Sequence, residues 1–174
     1  MGENSEMFKD PKLKQAIRIK LNKYTDDILK SDVEKIVSLS VCYTQIENID
    51  GIENLTNLKE LLLSGNQIAN INSLEKLTNL ERLALDNNKI NDISALKGLV
   101  NLKQLFLWEN QISDISILKN LTNLNVLLLT SNQISDISVL KGLNKLNKLI
   151  ICDNRINEYD IEELKKALPG CSIE

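Results

Sequence analysis

Read only for hydrophobic and polar positions, the chain copies itself. Leu58, Leu61 and Leu63 are followed by Asn66 and Ile68, and the same order returns from Leu80, Leu102, Leu124 and Leu146, always 22 residues on. Later in each unit Ile and Leu recur at three-residue steps, as at Ile115, Leu118 and Leu121. A fixed period of this length marks a solenoid, in which one small supersecondary unit is stacked on copies of itself. Inside each Leu-x-Leu the alternation is two, so Leu105 and Leu107 face one way and Phe106 the other, as in a strand. The three-residue steps suit a 3₁₀ or short helical turn. Each unit is therefore read as strand, bend and return segment, and it buries its apolar side chains only by stacking on a neighbour.

The asparagines Asn66, Asn88, Asn110, Asn132 and Asn154 fall where strand gives way to return segment. Backbone groups at such a bend need partners away from water, and a short amide both donates and accepts. The column is expected to be a structural ladder of side-chain to backbone bonds, not a ligand site.

The pattern changes at both ends, as an open stack with two apolar edges requires. Asp10-Pro11 reads as an N-cap and first helical residue, with Leu13, Ala16, Ile17 and Leu21 on one face. Ser31 to Glu34 has the spacing of a capping box opening a second short helix, and Lys35 to Val41 reads as a degenerate first strand with Thr44 in the asparagine position. Asp160 and Glu163 are expected to start a helix carrying Ile161, Leu164 and Leu168, stopped by Pro169-Gly170. Leu168 stands one period after Leu146, which sets Cys171 and Ile173 on the inward side of a last partial strand. The expected organisation is a helical cap over 1–35, repeats over 36–159 and a C-terminal cap over 160–174.

Composition narrows the function. The net charge of −3, with 26% charged residues, offers no long-range pull toward nucleic acid. Histidine is absent, which removes the commonest general base and metal ligand. Cys42, Cys152 and Cys171 form no Cys-x-x-Cys pair and are read as free thiols. Neither catalysis, metal nor cofactor is expected. No apolar run is long enough for membrane insertion, and Met1 to Glu6 lack the order of an export signal. The expected location is cytoplasmic for the chain as given, or secreted or cell-surface where a leader has been removed.

The repeat Asn-Gln-Ile-Ser-Asp-Ile-Ser-x-Leu at 110–118 and 132–140, with Phe8-Lys-Asp-Pro11, Leu13, Ala16-Ile17 and Gly51-Ile52, resembles the bacterial internalins, leucine-rich-repeat proteins with a short repeat. The resemblance runs from residue 8 to about residue 168. It implies an α/β fold: a right-handed solenoid with a parallel sheet on its concave face, short 3₁₀ or helical convex segments, a helical N-terminal cap, and a scaffolding or adhesion role.

Outward strand positions carry what varies between repeats. One column runs Ser40, Leu62, Ala84, Phe106, Leu128, Ile150; beside it stand Cys42, Ser64, Asp86, Trp108, Thr130, Cys152 and, on the other side, Ser38, Glu60, Arg82, Gln104, Val126, Lys148. Phe106 and the single Trp108 weigh most, because exposed aromatics cost solubility and are enriched at interface hot spots. The expected partner-binding set is Arg82, Ala84, Phe106, Trp108, Glu109, Val126, Leu128 and Ile150. Charges around it balance in sign, which suits a protein partner better than a phosphate backbone. Lys97, Lys119 and Lys141 are read as a solvated convex face. The expectation is a monomeric, non-catalytic protein-interaction module; the alternative is a carbohydrate-binding or host-cell adhesin with Trp108 stacked on a sugar ring. An enzyme using Cys152, or Asp86 with Glu109, lacks a base.

Overall fold

The computed structural model describes residues 7–174, so the reading of Met1 to Glu6 as lacking an export signal lies outside them. Among the described residues seven strands form one parallel sheet in chain order: β1 (Ser38–Ser40), β2 (Glu60–Leu62), β3 (Arg82–Ala84), β4 (Gln104–Phe106), β5 (Val126–Leu128), β6 (Lys148–Ile150) and β7 (Ser172–Ile173). From β1 to β6 the register advances by one repeat per strand, so Leu39, Leu61, Leu83, Leu105, Leu127 and Leu149 share one inward row. All six are buried. Parallel neighbours need a crossover, and here each coil of chain supplies it.

The return segments are 3₁₀ turns at Ile52–Asn54, Asn72–Leu74, Ser94–Gly98, Ser116–Asn120 and Ser138–Gly142. Four are started by an Asx turn, in which Asn70, Asp92, Asp114 or Asp136 accepts a 2.8 Å hydrogen bond from the N–H two residues on. Buried Leu74, Leu96, Leu118 and Leu140 point from these turns toward the sheet, and the core is one continuous column between the two layers.

The N-terminal end is closed by α1 (Pro11–Leu21) and α2 (Lys30–Val33). Asp10 caps α1 by accepting from the Lys12 and Leu13 N–H groups, and its second oxygen accepts from the Glu47 N–H, which ties the helix to the first coil. Leu13 and Ile17 are buried beneath it, with Ala16 and Leu21 packed at the margin. Gly51, at φ 102°, lets the Met7 carbonyl approach so closely that any Cβ there would collide with it.

Three end features differ from expectation. α2 begins at Lys30, with Ser31 inside it; the carboxylate of Asp32, not a Ser31 hydroxyl, closes the first turn by accepting from the Leu29 N–H at 3.0 Å. The last helix, α3 (Glu158–Ala167), starts ahead of Asp160, because Asn157 caps it by accepting from the Asp160 N–H at 2.9 Å. The last strand is two residues out of phase: Leu149 pairs with Ile173. An α-helix advances about 1.5 Å per residue against about 2.0 Å in a 3₁₀ turn, so replacing the return segment by α3 takes more chain. Cys171 consequently precedes β7, half-buried against the core, and only Ile173 joins the inward row.

Candidate functional site

Each of β1 to β6 is followed by a sharp bend at a residue in the left-handed region: Tyr43, Gly65, Asn87, Glu109, Ser131 and Asp153, with φ between 52° and 67°. Only one of the six is glycine. Thr44 follows the first bend, and an asparagine turned inward follows each of the other five. Asn88 Nδ2 donates to the Leu63 carbonyl of the preceding coil at 3.1 Å and to the Leu85 carbonyl of its own at 3.0 Å, while its Oδ1 accepts from the Ile68 N–H at 3.0 Å. Asn66, Asn110, Asn132 and Asn154 repeat this arrangement. Each amide thus bolts one coil to the one before it and holds the outer ends of the strands level.

A second asparagine column lies at the other end of the strands. Asn57, Asn79, Asn101 and Asn123 donate from Nδ2 to the carbonyls of Glu34, Thr56, Thr78 and Val100 at 2.8–2.9 Å. The recurring Asn-Leu before β2 to β5 was its sequence signal, passed over because these side chains lie toward solvent and their acceptors belong to the preceding coil.

On the outer face the first three strands carry a connected polar array. The Ser38 hydroxyl donates to Glu60 at 2.9 Å, and Arg82 Nη1 pairs with Glu60 at 3.0 Å. The Arg82 guanidinium also lies over the Phe106 ring, 5.5 Å from its centre. One level down, Glu81 pairs with Lys103 at 2.6 Å and Lys59 at 3.7 Å, and the hydrogen bond and charge of Lys103 hold its carboxyl below the usual range. The Ser64 hydroxyl donates to Asp86 at 2.8 Å. Asp86 is only 5% exposed, and burial pushes its carboxyl above the usual range.

The next three strands differ. Register sets Phe106 beside Leu128 and Leu128 beside Ile150, with Val126 at the other end of β5. Trp108 and Glu109 follow β4. Phe106, Trp108, Val126, Leu128 and Ile150 are all half-buried on this outer side, and Arg82 and Glu109 at its border are exposed. The structure therefore places seven of the expected contact residues together on one accessible face. Ala84 shares the face but is only 5% exposed, lying as floor between its larger neighbours Leu62 and Phe106. Tyr43, which the repeat pattern passed over, is 70% exposed at the first bend; its ring lies where a Cβ on Gly65 would be.

Chemically this face offers contact area. Among the described residues no group of three or more His, Cys, Asp or Glu is placed to hold a metal ion. Cys42, Cys152 and Cys171 are free thiols, with that of Cys171 raised by burial. No helix among the described residues is long and apolar enough to cross a membrane.

A family model of leucine-rich repeats in two copies matches residues 56–98 and 100–142. The internalin InlF of Listeria monocytogenes superposes with a TM-score of 0.79 at 32% identity, over 97% of this chain and 56% of that one. Internalin C2 of the same organism gives 0.75 at 31% identity, over 96% of this chain and 83% of that one. A leucine-rich-repeat protein of Leptospira interrogans gives 0.77 at 26% identity, over 88% of this chain and 41% of that one. No curated protein sequence matches the chain. The chain spans little more than half the length of the InlF structure.

Proposed function

The chain belongs to the internalin-like family of leucine-rich-repeat proteins, and from that premise we propose that it captures a partner protein on the outer face of β4, β5 and β6. Folds of this family generally mediate protein–protein interaction, and they are typically scaffolds without catalytic activity. The observation that carries the reading is the contrast across the sheet: polar outer side chains of the first strands bond to one another, whereas Phe106, Trp108, Val126, Leu128 and Ile150 form a neighbouring apolar strip. Such a strip, rimmed by charge, has the anatomy of an interface core.

The aromatic pair supplies most of the contact energy in this reading, as anchors at the centre of a desolvated patch do. Both face outward, so exchanging them for serine leaves the inward leucines in place. The experiment is affinity capture with the wild-type chain and with the Phe106→Ser, Trp108→Ser double variant, compared by quantitative mass spectrometry. The expected result is a protein bound by wild type and lost with the variant, both chains giving the same circular dichroism. Identical captured sets would sink the reading.

A further inference from the structure

Among the described residues, the one buried carboxylate of this face has no counter-charge. Asp86 points outward by strand parity, yet it is 5% exposed, the most buried carboxylate among the described residues. It receives the Ser64 hydroxyl at 2.8 Å and its own backbone N–H, and no Lys or Arg of the described residues stands within 4.0 Å. The nearby basic side chains are committed elsewhere, Arg82 to Glu60 and Lys89 to Gln67. A carboxylate held out of water with two neutral donors is poorly compensated, and burial raises its proton affinity accordingly.

The residue at its level on the next coil is aromatic. Trp108 stands at the matching position just after β4, and the Asn87 N–H donates to its carbonyl at 2.9 Å. Indole is the strongest aromatic acceptor of a cation, and the face already holds one such pairing, Arg82 over Phe106 at 5.5 Å. An incoming cation would meet a carboxylate and an aromatic ring together, with apolar side chains alongside to receive its stem.

We propose that Asp86 and Trp108 form the seat for a lysine or arginine side chain of the partner protein, whose apolar residues lie against Phe106, Val126 and Leu128. This rests on the binding-face reading above and adds the chemistry of the partner to it. Complementarity of this kind fixes register as well as affinity, because an uncharged or acidic side chain at the seat leaves Asp86 desolvated and unpaired.

The test selects a random-peptide phage library on the full chain and measures the enriched peptides by titration calorimetry. Expected peptides carry a Lys or Arg among apolar residues. Asp86→Asn, which keeps the shape and the acceptor for Ser64, weakens them by about tenfold or more, as does norleucine in place of the peptide's lysine, and the two changes together cost less than their sum. Enriched peptides without a basic residue, or unchanged affinity for Asp86→Asn, overturn the seat; if Phe106→Ser with Trp108→Ser still abolishes their binding, the face itself stands. Peptides indifferent to that double variant, or a selection yielding none, overturn both.

Discussion

The two halves of the outer face share a backbone and differ in what they leave unsatisfied. In β1 to β3, Ser38, Glu60 and Arg82 bond one to the next across three strands. In β4 to β6 the same positions hold Gln104, Val126 and Lys148, and the column beside them holds Phe106, Leu128 and Ile150. Beneath both halves the leucine row and the asparagine bolts are the same. A repeat scaffold therefore separates what it needs in order to stack from what it shows, and the outer columns vary without disturbing the core.

That separation is open to measurement. The largest effect is expected inside. Leu61→Ala under the polar half and Leu127→Ala under the apolar half should each cost about 2–5 kcal/mol in urea unfolding, because both delete a fully buried side chain from equivalent packing. A clear inequality between them would break the comparison by showing that the halves differ within. Asn88→Ala and Asn132→Ala, compared in the same way, should each cost about 1–3 kcal/mol by leaving the buried Ile68 or Ile112 N–H unpaired and taking one of two asparagine donors from each of two carbonyls.

Asp86→Asn should act in the opposite direction and by less. Because its carboxyl is raised in the fold, the native state holds the proton more tightly than the unfolded chain, so stability falls as pH climbs from the ordinary carboxylate range through the raised value. The asparagine variant lacks this loss, and it should melt higher than wild type at neutral pH and lose that advantage in acid. Equal melting differences at both pH values would remove the burial cost from the account. The smallest effect is expected at Arg82→Ala, under about 1 kcal/mol, since its pair with Glu60 is solvent-exposed. A larger loss would mean that the guanidinium over Phe106 supports the fold, and the line between the halves would then run one strand further on.

The inner architecture was legible in the residues because it is periodic. A leucine every period in fixed phase can only be an inward row, and the spacing predicts each strand from β1 to β6. The last coil broke that phase for a reason that periodicity does not carry: α3 uses more residues to travel the same path, which moved Ile173 rather than Cys171 opposite Leu149. The left-handed bends were equally hidden, since Glu109, Ser131 and Asp153 adopt them without a glycine to mark the place. Strand parity sorts outer side chains from inner ones, but how far an outer residue is covered depends on the size of its neighbours. Hence Ala84 and Asp86, both on the outer face, are nearly sealed, while Tyr43, in no column of interest, stands clear.

The direction of the backbone bonds carries a mechanical corollary. The Leu85 N–H to Phe106 carbonyl and Leu107 N–H to Leu128 carbonyl bonds, both 2.9 Å, run from coil to coil, across the strands. A tether pulling the termini apart loads these rungs end-on, one row at a time, and not in shear. The chain should therefore unspool turn by turn at low force, each released coil of 22 residues paying out about 70 Å of slack.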